Sequence, residues 1–249
     1  MKKLLTLCVC LVSAALSFAQ QLNEPFGFPI KPGTKEWSSL KTEEERFKAM
    51  QIPSDLLPRM TTESLVATCL NHPTFLIYIT SFDLQTGYNV LANNFNGIKE
   101  LENRNDAEKC LVIIYNSVGA KEFNSAQPFI DKNLWTFKIA WIELLLSQDK
   151  LIKTLDINEK NNLLSLSMQK FAMKISSEEF SGFDYLSTTL LIARIMKSIG
   201  SIEFEFEYNN NESLRKFIET AQAPDSKTFD SIHQLAHAYV IRLKSQSNI

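Results

Sequence analysis

The sequence predicts an all-α fold, either an irregular helical bundle or a stacked array of helical hairpins, with an extended N-terminal arm. Composition excludes a turn-rich β protein, because the chain of 249 residues has 7 glycines, well below the usual share of about 7%. No proline occurs between residues 129 and 223. Apolar residues recur in that stretch at the spacing of a helix face, which favours helices over strands.

Residues 1–19 have the layout of a secretory signal peptide. Two lysines precede an apolar run at residues 4–16, and Ser17 and Ala19 place small residues before a cleavage site at Gln20. The run is too short for a helix that spans a bilayer, which needs about 20 residues. We therefore expect export to the periplasm or the extracellular space, and a soluble mature chain without stable membrane insertion.

The charge of the chain argues against nonspecific binding to nucleic acid. The formal net charge is −2, and residues 1–19 carry two lysines and no acidic residue, so the exported chain carries −4. Nonspecific nucleic-acid binding needs a basic face. We expect no nucleic-acid partner.

Residues 20–39 differ in composition from the rest of the chain. Pro25, Pro29 and Pro32 forbid a regular helix, while aromatic residues such as Phe28 make the segment too apolar for a free tail. We expect an extended arm that lies on the helical body. The alternative is a disordered leader that holds a recognition segment.

A helical domain is expected over residues 40–249. Thr42, with a glutamate three residues on, forms a capping box, Thr61 or Thr62 caps the next helix, and Asp106 caps a later one. Pro73 opens PTFLIYI, which fits a strand or a buried helix, and its neighbours favour a helix. Residues 119–128 are the candidate boundary for a subdivision of the domain.

Further helices are expected in the second half of the chain. The first should be central, because apolar residues cover most of its circumference. Asp184 is expected to cap the third. The expected helices span residues 130–146, 158–175, 186–199, 214–220 and 226–244.

Residues 202–208, IEFEFEY, alternate apolar and acidic residues. This alternation predicts one short strand with Glu203, Glu205 and Glu207 on one face. No second strand is evident as its partner, so the segment could instead be an extended connector, or it could pair with the N-terminal arm. Three carboxylates on one face could bind calcium, but the ligand pattern and turn glycine of a calcium loop are absent. A solvated acidic face is the expected outcome.

Cys69 and Cys110 are the two cysteines that remain after signal cleavage. An exported protein can join them in a disulfide. Alternatively they are two buried thiols, because Cys69 shares a helical face with Leu65, and Cys110 shares one with Ile114. Both alternatives stay open at the level of sequence.

His233 and His237 have the two-histidine spacing of a zinc-protease helix, in the sequence HQLAH. Gln234 stands where the catalytic glutamate would be, and no His, Cys, Asp or Glu follows His237 as a third ligand. We expect an ordinary amphipathic helix in which both histidines flank a core stripe, with a weak zinc or nickel site as the alternative. The expected stripe is Phe229, Ile232, Leu235, Tyr239 and Leu243.

Other catalytic patterns are absent from the sequence. It contains neither a G-x-S-x-G nucleophile elbow nor a glycine-rich loop for phosphate. A glycosidase-type carboxylate pair is compatible with 28 acidic residues, but no catalytic residue is singled out. No cofactor is expected.

Residues 40–120 contain a series of short segments that carry a resemblance to known proteins. These segments are Ile52-Pro53 to Asp55, Met60-Thr61-Thr62-Glu63, Leu65-Val66, Cys69-Leu70-Asn71, Pro73, Phe95-Asn96-Gly97, Glu100-Leu101, Arg104 and Asp106-Ala107. The region resembles a group of uncharacterised exported proteins of Bacteroidetes-type bacteria. The resemblance implies a Gram-negative periplasmic or extracellular setting and a helical domain, without a defined activity.

These features together favour a binding function over catalysis. We expect a macromolecule-binding or scaffold module whose partner is another envelope or extracellular macromolecule. Such a module should expose an apolar groove or patch between helices. The alternative is a hydrolase of cell-wall or host polymer that uses a carboxylate, which requires a cleft with a carboxyl of raised pKa.

Overall fold

The computed structural model describes residues 21–81, 83–118, 129–178, 180 and 182–246. The expected signal peptide at 1–19 and the candidate boundary at 119–128 lie outside these ranges. Within them the chain forms fourteen α-helices, which confirms the all-α prediction. The helices are α1 Lys35–Ser39, α2 Glu43–Ala49, α3 Thr62–Leu70, α4 Phe75–Ser81, α5 Leu84–Asn94, α6 Asn96–Leu101, α7 Ala107–Ser117, α8 Phe129–Leu146, α9 Asp149–Ile152, α10 Ile157–Ile175, α11 Gly182–Ile199, α12 Ile202–Asn210, α13 Glu212–Thr220 and α14 Ser226–Gln246.

The structure confirms two of the helix caps that the sequence predicts and corrects two others. Thr42 forms both bonds of the expected capping box, and Thr61 caps α3 by accepting from the Ser64 N–H. Asp106 stands at the start of α7 without capping it, because its carboxylate accepts from the Thr62 hydroxyl at 2.8 Å. Asp184 lies in the first turn of α11 and is not its cap.

The N-terminal arm lies on the helical body. The Leu22 N–H donates to the Arg59 carbonyl at 2.8 Å, and the Phe26 N–H donates to the Thr68 hydroxyl at 2.8 Å. Phe28 is buried, with its ring centroid 5.3 Å from that of His72. These contacts confirm the extended arm, which is interrupted at residues 35–39 by α1.

Several residues of the segments that carry the resemblance tie neighbouring turns together. The Asn96 side chain accepts from the Ile52 N–H at 3.0 Å and donates to the Ile52 carbonyl at 2.7 Å. The Arg104 guanidinium donates to the carbonyls of Met60 and Leu57 at 2.7 and 3.2 Å. Since buried polar backbone needs partners, these side chains serve the fold.

Helices α4 and α5 approach closely at Gly87. A Cβ at this position would lie 2.3 Å from the Tyr78 carbonyl oxygen, which is backbone and cannot rotate away. The absence of a side chain therefore permits this packing.

The predicted strand at residues 202–208 is wrong, because these residues form α12. Ser201 caps the helix by accepting from the Phe204 N–H, and Phe204 is fully buried while Phe206 is 69% exposed. Apolar residues two positions apart thus fall on different helix faces, whereas a strand would have aligned them. A lone strand leaves backbone groups unpaired, whereas a helix bonds its own.

Helix α11 is the centre of the second half of the chain. It packs most extensively against α10 and α8, and it also contacts α12, α13 and α14. Glu143 of α8 and Lys174 of α10 are both fully buried and form an ion pair of 2.8 Å beside it. Within the described ranges, no helix has the length and hydrophobicity to cross a bilayer.

Candidate functional site

A groove of about 560 Å³ lies between α10 and α14, and we call it the α10–α14 groove. Ile175 is 58% exposed and Ile241 is 52% exposed, so part of its apolar lining is open to solvent. Contiguous exposed apolar surface marks interaction sites. The apolar lining residues are Met168, Phe171, Ala172, Ile175, Val240 and Ile241.

The two helices run in opposite directions along the groove. The Tyr239 hydroxyl donates to Asn161 Oδ1 at 3.1 Å, whereas His233, earlier in α14, stacks on Phe171, later in α10. With a rise of 1.5 Å per residue, the lining stretches at 165–175 and 233–244 are each about 16 Å long. That length equals about three turns of a helix.

His233 is held rigidly in the wall of the groove. Its ring stacks on Phe171 with centroids 3.8 Å apart, and its Nε2 lies 2.9 Å from the Thr189 hydroxyl oxygen. That hydroxyl donates its proton to the Tyr185 carbonyl, so it accepts from His233 and Nε2 carries the proton. Burial lowers the pKa of His233 to about 4, which keeps the ring neutral at pH 7.

His237 also lines the groove, one turn further along α14, and it is exposed. The two histidines therefore share one wall, as their spacing implies. With Nε2 of His233 committed to Thr189, Nδ1 is its remaining lone pair for a metal. Across the described ranges, no three or more His, Cys, Asp or Glu side chains are grouped so that they could hold a metal ion.

The core stripe of α14 differs from the expected one. Its buried positions are Thr228, Ile232, Ala236 and Val240, whereas Leu235 and Tyr239 are half-buried. The helix is thus rotated from the orientation expected from its largest apolar residues. This rotation turns the side of α14 that carries the histidines toward α10.

The charged residue in the described lining of the α10–α14 groove is a lysine. The lining includes Lys244 and the two histidines together with neutral polar residues such as Gln169, and none of the described lining residues is acidic. A protein with a negative net charge therefore presents a groove whose charged lining residue, Lys244, is positive. An anionic partner would be favoured there by electrostatic complementarity.

A second cluster of charged and polar side chains surrounds Glu143 and is inaccessible to solvent. The Glu143 carboxylate accepts from Lys174, Tyr115, Ser187 and Thr188 at 2.5 to 2.9 Å. Lys174 also donates to the Asp184 carbonyl at 2.9 Å. The lysine and the three hydroxyl groups satisfy the Glu143 carboxylate, and both charged side chains of the ion pair are inaccessible. The cluster therefore joins four helices and leaves no place for a substrate.

Glu108 is a carboxyl with a raised pKa. Its side chain is 2% exposed, and burial, with repulsion from Glu159, raises its pKa to about 7. Both carboxyl oxygens are shielded and have no hydrogen-bond partner among the described residues. In this conformation the carboxyl is out of reach of a polymer, in contrast to the catalytic carboxylate that a hydrolase requires.

Cys69 and Cys110 are free and buried. Burial raises the pKa of both thiols, which disfavours the thiolate and hence nucleophilic reactivity. His72, three residues after Cys69, is buried between aromatic rings, and burial lowers its pKa to about 4. Cys69 instead lies under Trp141, whose indole N–H donates to the Cys69 carbonyl at 3.1 Å.

Sequence reasoning found the two histidines and expected an apolar groove or patch between helices, but it did not place that groove between α10 and α14. Ile175 is the last residue of the helix expected at 158–175, and it is exposed. No local sequence signal indicates this exposure, because the neighbouring Lys174 is buried through its ion pair with Glu143 of α8, which is distant in sequence.

Comparison of the chain with models of protein families, with curated proteins and with solved structures finds no match.

Proposed function

We propose that the protein is an exported binding module whose α10–α14 groove receives the apolar face of an amphipathic helix from another envelope or extracellular macromolecule. The observation that carries this proposal is an open apolar groove with one lysine, Lys244, and no acidic residue in its described lining. Helix-in-groove recognition uses anchors at i, i+3, i+4 and i+7. Three turns of such a helix match the groove length of about 16 Å.

The occupant should carry acidic residues beside its apolar anchors. Lys244 lies at one end of the groove lining and His237 lies along it, and both face solvent. Met168 adds a flexible side chain that adapts to different apolar surfaces. Burial of an exposed isoleucine contributes about 1.5–3 kcal/mol, so Ile175 and Ile241 are the expected anchoring contacts.

Two synthetic helical peptides test this function on the chain that begins at Gln20. Both have leucines at i, i+3, i+4 and i+7, and one has glutamates beside them where the other has lysines. In calorimetry, the dissociation constant of the glutamate peptide should be lower than that of the lysine peptide by about tenfold or more. Equal affinity for the two peptides, or no binding of the glutamate peptide, would overturn the proposal.

Matched isoleucine variants locate the binding surface. Ile175→Gln with Ile241→Gln should weaken binding of the glutamate peptide about tenfold or more. Ile157→Gln is the control, because Ile157 is 51% exposed on the same helix as Ile175 and is not part of the groove lining. If the control weakens binding as much as the groove variant, the groove is not the binding surface.

Export is the other part of the proposal, and it rests on residues 1–19. We expect the full-length chain, expressed in a Gram-negative cell, to be recovered from the periplasm or the medium with Gln20 as its first residue. N-terminal sequencing of the recovered protein measures this directly. Retention in the cytoplasm with residues 1–19 attached would contradict export.

A further inference from the structure

A smaller pocket of about 420 Å³ lies where α5, α9, α11, α12 and α13 meet, and we call it the Arg194 pocket. It is distinct from the α10–α14 groove and shares no lining residue with it. Its volume falls in the range of small-molecule sites, about 300–1,000 Å³. The lining residues with a role below are Gln85, Gln148, Arg194, Lys197, Tyr208 and Glu219.

Arg194 contributes a buried cation to this pocket. Its side chain is 7% exposed, and Nε and Nη2 donate to the Ile218 carbonyl at 2.9 and 2.8 Å. Nη1 donates to the carbonyl and hydroxyl of Ser147 at 3.3 and 3.4 Å. These bonds to the ends of two helices hold the guanidinium in place, use four of its five N–H groups and include no carboxylate.

Gln85 contributes a shielded acceptor to the same pocket. Its amide nitrogen donates to Gln148 Oε1 at 3.1 Å and to Asn89 Oδ1 at 2.9 Å. Its Oε1 atom is shielded from solvent and has no donor among the described residues. A buried acceptor without a donor is costly, and a ligand N–H would remove that cost.

Two of the other charged residues in the lining of the Arg194 pocket form ion pairs with neighbouring side chains. Lys197 is paired with Glu205 of α12 at 2.8 Å and also lies over the Tyr208 ring at 3.7 Å. Asp149 is paired with Lys153 at 3.3 Å, and its carboxylate also acts on Arg194, since its negative charge counteracts the effect of burial on the pKa of that guanidinium. The lining charges outside these two described pairs are Arg194, which is buried, and Glu219, which is exposed.

We propose that the Arg194 pocket binds a small zwitterion, specifically a free α-amino acid. The carboxylate pairs with the guanidinium of Arg194, since charge-assisted bonds of arginine to carboxylates are among the strong ones. The ammonium group supplies a donor to Gln85 Oε1, and its charge is balanced by Glu219 at the rim.

Calorimetry of the chain that begins at Gln20 with each of the common free amino acids tests the site. At least one should bind, whereas its decarboxylated amine and its N-acetyl derivative should bind about tenfold more weakly or not at all. Absence of binding by every amino acid overturns the proposal. Binding of the amine as tight as that of the amino acid overturns it as well.

An exposed variant avoids the risk that a change at Arg194 prevents folding. Glu219→Gln should weaken binding of the amino acid about tenfold while the melting temperature without ligand stays unchanged. Glu212→Gln on the same helix is the control, because Glu212 is exposed and does not line the pocket. If the two variants bind equally, Glu219 does not contact the ammonium group and the zwitterion assignment fails.

Discussion

Glu108 in the first half of the chain and Glu143 in the second are both almost inaccessible to solvent, yet their surroundings are opposite. Glu143 has a lysine and three hydroxyl groups as partners, whereas Glu108 has no hydrogen-bond partner among the described residues. The fold therefore buries one carboxyl as part of an ion pair and the other as an acid that ionises with difficulty. Burial alone does not identify a reactive carboxylate.

The largest expected effect comes from breaking the ion pair in the second half. Lys174→Met should lower the free energy of unfolding by about 4 kcal/mol, because it leaves the Glu143 carboxylate buried without its cation. Urea denaturation at pH 7 measures the change. The double variant Glu143→Leu with Lys174→Met should recover most of the loss, since no charge is then buried, and a double variant as unstable as the single one would contradict the role assigned to the pair.

Close packing in the first half gives the next largest effect. Gly87→Ala should destabilise the fold by about 2 kcal/mol, because the new methyl group meets the Tyr78 carbonyl oxygen and the two helices must separate. Gly182→Ala is the control, since a Cβ at Gly182 meets nothing within 4 Å. Equal stability of the two variants in thermal melts would show that α4 and α5 do not approach as closely as described.

An effect that is small at pH 5 and grows toward pH 8 sharpens the comparison between the two glutamates. The pKa of Glu108 is about 7 in the folded chain and about 4.3 when unfolded, so its ionisation destabilises the fold as pH rises between these values. Glu108→Gln should therefore gain stability relative to the parent chain from pH 5 to pH 8, with little difference at pH 4.

That test compares the stability of the variant with that of the parent chain at each pH, because other groups titrate in or near the same pH range. Glu159 raises the pKa of Glu108 and Lys109 lowers it, and His72 and His233 have pKa values of about 4. The contributions of the two histidines cancel when variant and parent are compared at each pH, whereas Glu159 and Lys109 act through Glu108 itself. Glu44→Gln, at an exposed position, should show no such trend, and a flat difference for Glu108→Gln would mean that Glu108 is solvated.

Local sequence signals predicted the elements of the fold better than their orientation. The capping box at Thr42 and the prolines of the arm act over a few residues, so the sequence indicates their structure directly. The strand prediction for residues 202–208 was wrong because an alternating pattern indicates a strand only where a partner strand exists. Glu143 and Lys174 are 31 residues apart, and no local pattern reveals that they meet.

The candidate sites were predictable to a smaller extent for the same reason. The spacing of His233 and His237 places them on one side of α14, but the α10–α14 groove depends on how α14 packs against α10 and α11. The Arg194 pocket gathers residues from five helices. Helix packing of this kind is determined by contacts between distant segments, which a single sequence does not specify.

Methyl NMR of the methionine side chains tests the central claim, that the α10–α14 groove is the binding surface, most directly. Met168 lines the groove, whereas Met50, Met60 and Met196 are buried and are not part of its lining. Addition of the glutamate peptide should shift the Met168 methyl signal and leave these three unchanged. An unchanged Met168 signal under conditions where calorimetry shows the peptide to be bound would contradict the claim.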